Sequence, residues 1–153
     1  LEAQRQASSE LVNLLSELNL ALRTLDSLDD QIDALSQALA SAMEPVPDEA
    51  QASLARLEEA VADVRSTMVR QGEAVYGSPT QLLGKLRSMY SDIERAHSAP
   101  TPHQREYIEK FKQEHQAALQ AVDEIERRGV AAANASLKSY GLRILTDADE
   151  ESR

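Results

Sequence analysis

No cysteine and no tryptophan occur among the 153 residues, and Phe111 is the only phenylalanine beside four tyrosines. Without thiols there are no disulfides, no thiolate metal sites and no cysteine nucleophile, although the compartment stays open. Five glycines and five prolines leave little turn chemistry for a β protein. No apolar run approaches the roughly 20 residues of a membrane-spanning helix, so membrane insertion is excluded. Positive charge is also scarce: 16 Lys and Arg stand against 26 Asp and Glu, for a net charge of −10. Such a chain is a poor ligand for polyanions, which removes nucleic acid and anionic membrane from the partners. No signal peptide is visible, and a chain that starts at Leu1 reads as a fragment or processed product.

What is present is helix-forming material: Leu, Ala, Glu, Gln and Arg dominate. Leu11, Leu18, Leu25, Ile32 and Leu39 recur every seven residues, with Leu14, Ala21, Leu28, Leu35 and Ala42 as a second series. That is an unbroken coiled-coil seam over five heptads. It predicts a first helix over 3–43, roughly 60 Å long at 1.5 Å per residue, stopped by Pro45 and Pro47. Asp48 with Gln51 opens a second helix over 48–76, with Leu54, Val61, Met68 and Val75 on one stripe and Ala50, Leu57 and Val64 on the other. Gly77 is its natural stop.

Ser78-Pro79-Thr80-Gln81 starts a third helix over 79–97, whose apolar face is Leu82, Leu83, Leu86, Met89, Tyr90 and Ile93. Thr101-Pro102-His103-Gln104 repeats the start signal for a fourth over 102–139, seamed by Ile108, Phe111, His115, Ala118, Val122 and Ile125. Gly129 is where a kink or break would fall, since glycine costs about 1 kcal/mol in a helix. Leu142 to Leu145 form an apolar segment able to dock, and the acidic residues 146–153 are expected to fray. Short connections between amphipathic helices predict an all-α, antiparallel up-down four-helix bundle, a single domain over 1–145.

No catalytic or metal constellation emerges. Glu94 and His97 form one Glu-x-x-His pair, whereas a di-metal bundle needs two such pairs and two further carboxylates; neither His103 nor His115 supplies the second. His115 falls on the core seam of helix four and reads as a buried, hydrogen-bonded histidine, without a nucleophile placed beside it. Asp26, Asp29, Asp30 and Asp33 cluster on helix one but lack the glycine and alternating oxygens of a calcium loop. They read as a solvated face, or as a docking surface for a basic partner. Asn134-Ala135-Ser136 is a glycosylation sequon by pattern alone, inside a predicted helix. The expectation is a non-enzymatic chain with no cofactor and no metal.

The acids are unevenly spread: residues 1–50 hold ten acids against two bases, whereas residues 80–128 balance eight with eight. The third helix is much shorter than the first, so part of the first is expected to lack intramolecular cover. Leu11, Leu14 and Leu18, near its N-terminal end, are the candidate contact for a partner or for a second copy in a homodimer, while Leu25, Leu28, Ile32 and Leu35 are expected in the core.

A set of short pieces occurs in one order: Val75-Tyr76-Gly77-Ser78-Pro79, Gln81-Leu82-Leu83-Gly84-Lys85-Leu86, Met89-Tyr90, Ala99-Pro100-Thr101-Pro102-His103-Gln104-Arg105 and Tyr140-Gly141-Leu142. In these pieces the chain resembles the C-terminal helical region of large bacterial sortilin-like, BNR-repeat β-propeller proteins, often labelled glycosyl hydrolases. The resemblance implies an exported parent, in the periplasm, at the cell surface or secreted. It implies that any glycosidase-like chemistry belongs to propellers outside this chain, and that the helices form a structural or interaction module packing on those propellers or on a protein partner. A reading from a different class is a ligand-sensing or signalling four-helix bundle.

Overall fold

The computed structural model describes residues 1–42, 48–70 and 81–151, and among them every regular element is helical. The order is α1 (Glu2–Ala40), α2 (Asp48–Met68), α3 (Leu82–Arg95), α4 (Pro102–Glu124), a π-turn (Ile125–Gly129), α5 (Val130–Leu137), a 3-10 turn (Lys138–Tyr140) and α6 (Asp147–Glu151). No described helix is long and apolar enough to cross a membrane.

Where one domain is expected, the chain divides into two compact units, each assembled from two stretches of sequence. The first holds residues 1–21 and 65–120, the second residues 22–64 and 121–153. Among the described residues, each unit holds three long helical segments, one of them from α1. The first unit has the start of α1, α3 and the first part of α4, with the last turn of α2. The second has the rest of α1, most of α2, and the run from the end of α4 through α5. At 21 and 14 residues, α2 and α3 are each too short to line the 39-residue α1.

In the first unit, Leu11 and Leu18 are buried with Leu82, Leu86, Ile93, Ile108, Phe111 and Ala118. Polar contacts fix the ends of the helices. The amide of Gln4 donates to Ile93 O at 2.8 Å and to Ala96 O, meeting carbonyls that the end of α3 leaves without helical partners. Ser8 Oγ donates to Glu94 Oε1 at 2.5 Å. At the start of α4 the capping box forms as the sequence predicts: Thr101 N–H donates to Gln104 Oε1 (2.9 Å), and Gln104 N–H to Thr101 Oγ1 (3.1 Å).

In the second unit, Leu25, Leu28, Ile32 and Leu39 of α1 are buried, as are Leu54, Leu57 and Val61 of α2. Leu35, expected in the core, is half-buried at the edge. Helix four does not break at Gly129. The backbone stays right-handed helical, and Val130 N–H donates to Ile125 O, five residues back. The apolar sequence demands this widening, because the buried residues step by five from Ile125 to Val130 before resuming at Ala133 and Leu137. Glycine fits here for space: a Cβ on residue 129 would stand 3.0 Å from Leu57 Cδ1.

Helix two stops earlier than the expected residue 76. Val69 and Arg70 are not helical, following Ser66, Thr67 and Met68; short hydroxyl side chains compete with the helical ladder. Helix three likewise starts at Leu82 and ends at Arg95. The expected features at Met43, Pro45, Pro47, Val75, Gly77 and Ser78–Thr80 lie outside the described residues.

Within the segment expected to fray, Asp147–Glu151 form the short helix α6. Gly141 turns the chain in the left-handed region (φ 68°), and residues 142–146 run without helix to α6. Ile144 is fully buried. Thr146 caps α6, its N–H donating to Asp149 Oδ2 at 2.9 Å. Glu126 accepts a backbone hydrogen bond from Asp147, yet burial, followed by the Asp147 charge, holds its carboxyl above the ordinary value of 4.5.

Two outcomes follow for thermal melts. Gly129→Leu overpacks the contact with Leu57 and is expected to cost about 1–3 kcal/mol, visible as a lower Tm. Glu126 binds its proton more tightly folded than unfolded, so its contribution to stability is full below pH 4.5 and lost as pH rises through the raised folded value. Glu126→Gln is therefore expected to raise Tm at pH 7, and to leave Tm unchanged below pH 4.5.

Candidate functional site

Small side chains on one helix and branched ones on the next leave room between them. In the first unit, Ala3, Gln6, Ala7 and Glu10 of α1 face Arg105, Ile108, Glu109 and Lys112 of α4, with Pro100 at one end, around an open groove of about 420 Å³. Alanine at positions 3 and 7, one turn apart, leaves the floor low; Ile108 and Pro100 are buried and give it an apolar lining.

The charges on the rim are partnered. Lys112 Nζ lies 3.0 Å from Glu10 Oε2 and 2.8 Å from Glu109 Oε1. Its hydrogen bonds to Glu109 and then to Glu10 raise the ammonium's pKa above 10.5, so it remains a cation at physiological pH. The Arg105 guanidinium donates twice to Pro100 O, each at 3.2 Å. The groove thus offers apolar contact and fixed, mutually neutralised charges. Nothing in this lining is an activated nucleophile.

The opposite flank of α4 carries aromatic rings. His103 meets Tyr107 edge to face at 4.7 Å, Tyr107 leans toward Phe111 at 6.0 Å, and Lys110 Nζ lies 5.3 Å from the Tyr107 ring centre. Tyr107 is 39% exposed. Exposed aromatic side chains are enriched at protein interfaces.

The sequence-predicted residues fall differently from expectation. Leu11 and Leu18 are fully buried within the first unit, and Leu14 is half-buried. Leu11 and Leu18 are core rather than a free docking edge, because α3 and the first part of α4 pack in the same unit as this part of α1, and Leu14 sits at the edge of that core. The exposed apolar residues of that stretch are Val12, at 44%, and Leu20, at 60%. They lie off the heptad positions, and their signal in the sequence was that misfit. Asp26, Asp30 and Asp33 are exposed and Asp29 is half-buried, all on the α1 stretch of the second unit.

Glu94 accepts from Ser8, while His97 stands exposed beyond the end of α3, so the two do not share a helix face. No group of three or more His, Asp or Glu able to hold a metal occurs among the described residues. Asn134 uses both ends of its amide on the main chain of Ile144, which gives it a structural role within the fold. His115 is buried as the seam predicts, but its Nε2 makes no hydrogen bond; Glu17 Oε2 lies 3.8 Å away.

Comparison with known proteins finds no match: no family model fits the chain, and neither a curated protein nor a solved structure matches it.

A buried ring nitrogen without a partner costs stability, whereas an apolar side chain of similar volume does not. His115→Leu is accordingly expected to leave the fold intact and to raise stability by up to about 1 kcal/mol in a urea titration. A loss of more than that would show that the imidazole makes a contact the core needs.

Proposed function

We propose that the chain is a non-enzymatic interaction module, whose contact surface is the α1–α4 groove of the first unit. The observation that carries this reading is the groove's chemistry. It combines a low alanine floor, an apolar lining from Ile108 and Pro100, and a rim whose cations are already engaged by Glu10, Glu109 and a main-chain carbonyl. A groove of this kind takes an amphipathic helix or an apolar strip of a protein partner through shape and burial. The charged rim then sets orientation more than affinity.

The partner of first choice is a β-propeller of the same parent protein, exported to the periplasm or the cell surface. What supports it is the order of short pieces from Val75 to Leu142 that resembles the helical region of such proteins. In that setting the module covers or orients the propeller and leaves its chemistry to it. The second reading, a ligand-sensing bundle, is favoured by the groove volume of about 420 Å³, which lies in the range of small-molecule sites.

Asp-box repeats encoded upstream of Leu1 are the expected finding in the parent gene; a membrane helix in that place would favour ligand sensing. In calorimetry, the parent's purified propeller should bind the chain. Ala3→Trp, at the exposed edge of the groove, should weaken that binding about tenfold or more, by analogy with interface hot spots, at an unchanged Tm. Equal binding by the variant would move the contact elsewhere, and no binding by the wild type would remove the propeller as partner.

A further inference from the structure

The second unit contains a site that already holds a peptide. Residues 142–146 leave the helical run without regular structure, and two side-chain amides read their main chain. Asn134 Nδ2 donates to Ile144 O at 3.0 Å, and Ile144 N–H donates to Asn134 Oδ1 at 2.7 Å. Gln31 repeats the pattern one residue on: its Nε2 donates to Leu145 O at 3.0 Å and its Oε1 accepts from Leu145 N–H at 2.8 Å. Four hydrogen bonds therefore satisfy the N–H and C=O of two successive residues, with helices as the partners. Between them the Ile144 side chain is fully buried. Main-chain pairing with one aliphatic anchor is how extended peptides are recognised at sheet edges.

The bound segment is itself preorganised. Asp149 accepts from the N–H and Oγ1 of Thr146 at 2.9 and 3.0 Å and pairs with Arg143 at 2.5 Å. Thr24 Oγ1 adds a contact to Asp147 at 3.3 Å. A ligand that holds its own shape loses little entropy on binding. The connection to the helical run is a single glycine, Gly141, in the left-handed region with nothing within 4 Å of where a Cβ would stand. Re-aiming the segment thus requires rotation at one exposed residue and the loss of the Leu142 N–H to Leu137 O hydrogen bond (3.4 Å) that spans it.

We propose that this cleft is a peptide-binding site occupied in cis, and that its partner in trans is the same segment of a second copy. Every contact made in cis is remade when two copies exchange segments, so exchange has no large intrinsic cost; the balance is set by concentration against the tether. The ligand chemistry is a non-helical main chain with an aliphatic residue at the Ile144 position and an acid-capped turn after it. This proposal does not depend on the groove of the first unit, and its test is separate.

The test uses the full chain with a fluorescent peptide of residues 141–149. Ile144→Ser vacates the anchor position in cis, so the labelled peptide should bind this variant saturably and the wild type far less. Adding Asn134→Leu should weaken binding about tenfold or more, the equivalent of two lost hydrogen bonds. Independently, Gly141→Val opposes the left-handed turn and should convert monomer to dimer with rising concentration in sedimentation. Excess free peptide should then reverse the dimer. If Ile144→Ser keeps the wild-type helicity and cooperative melt yet binds no peptide, the proposal is overturned. If Ile144→Ser fails to fold, Gly141→Val decides: a monomer at every concentration, or a dimer that free peptide leaves intact, overturns it equally.

Discussion

A helix of 39 residues with an apolar stripe along its length is not stable alone in water, and the rest of the chain answers to that constraint. Each buried leucine of α1 contributes on the order of 1.5–3 kcal/mol only if something covers it. In the first unit the cover comes from α3 and the start of α4; in the second it comes from α2 and the later part of the α4–α5 run. The first heptad series is buried throughout, from Leu11 to Leu39; in the second, Ala21 and Leu28 are buried but Leu14 and Leu35 are only half-buried. That asymmetry is what a helix sharing its seam with three-segment packing requires.

The second constraint is the main chain wherever it is not helical. Three amide side chains carry much of this duty. Gln4 meets carbonyls at the end of α3, while Gln31 and Asn134 meet the peptides of residues 144 and 145. Glutamine and asparagine suit it because each offers a donor and an acceptor at fixed spacing, matching the N–H and C=O of one residue. The proposed exchange of the C-terminal segment and the ordering of α6 both rest on this pairing. The Glu126 carboxyl, half-buried beside Asp147, sets a small opposing charge at the same place.

The candidate groove follows from residue size rather than from any motif. Alanines at positions 3 and 7 are good helix formers anywhere, and they mark a site only because Ile108 and Pro100 come to face them. Val12 and Leu20 were hidden in the sequence for the opposite reason: apolar residues at off-seam positions look like noise until the seam is seen to be filled by others.

By itself the sequence determined what depends on neighbours along the chain: the helical class, the buried series of α1 and α4, and the Thr101–Gln104 cap. Each is a local rule of period or hydrogen-bond reach, so each was legible from residue spacing. The tertiary structure alone decided what depends on residues far apart. Leu11 and Leu18 became core because α3 and α4 pack in the same unit. The step of five from Ile125 to Val130 became a π-turn rather than a break because both side chains are needed in the core, with Gly129 close under Leu57. The apolar segment before the acidic tail docks because Gln31, 114 residues away from Leu145, supplies hydrogen bonds that no local pattern announces.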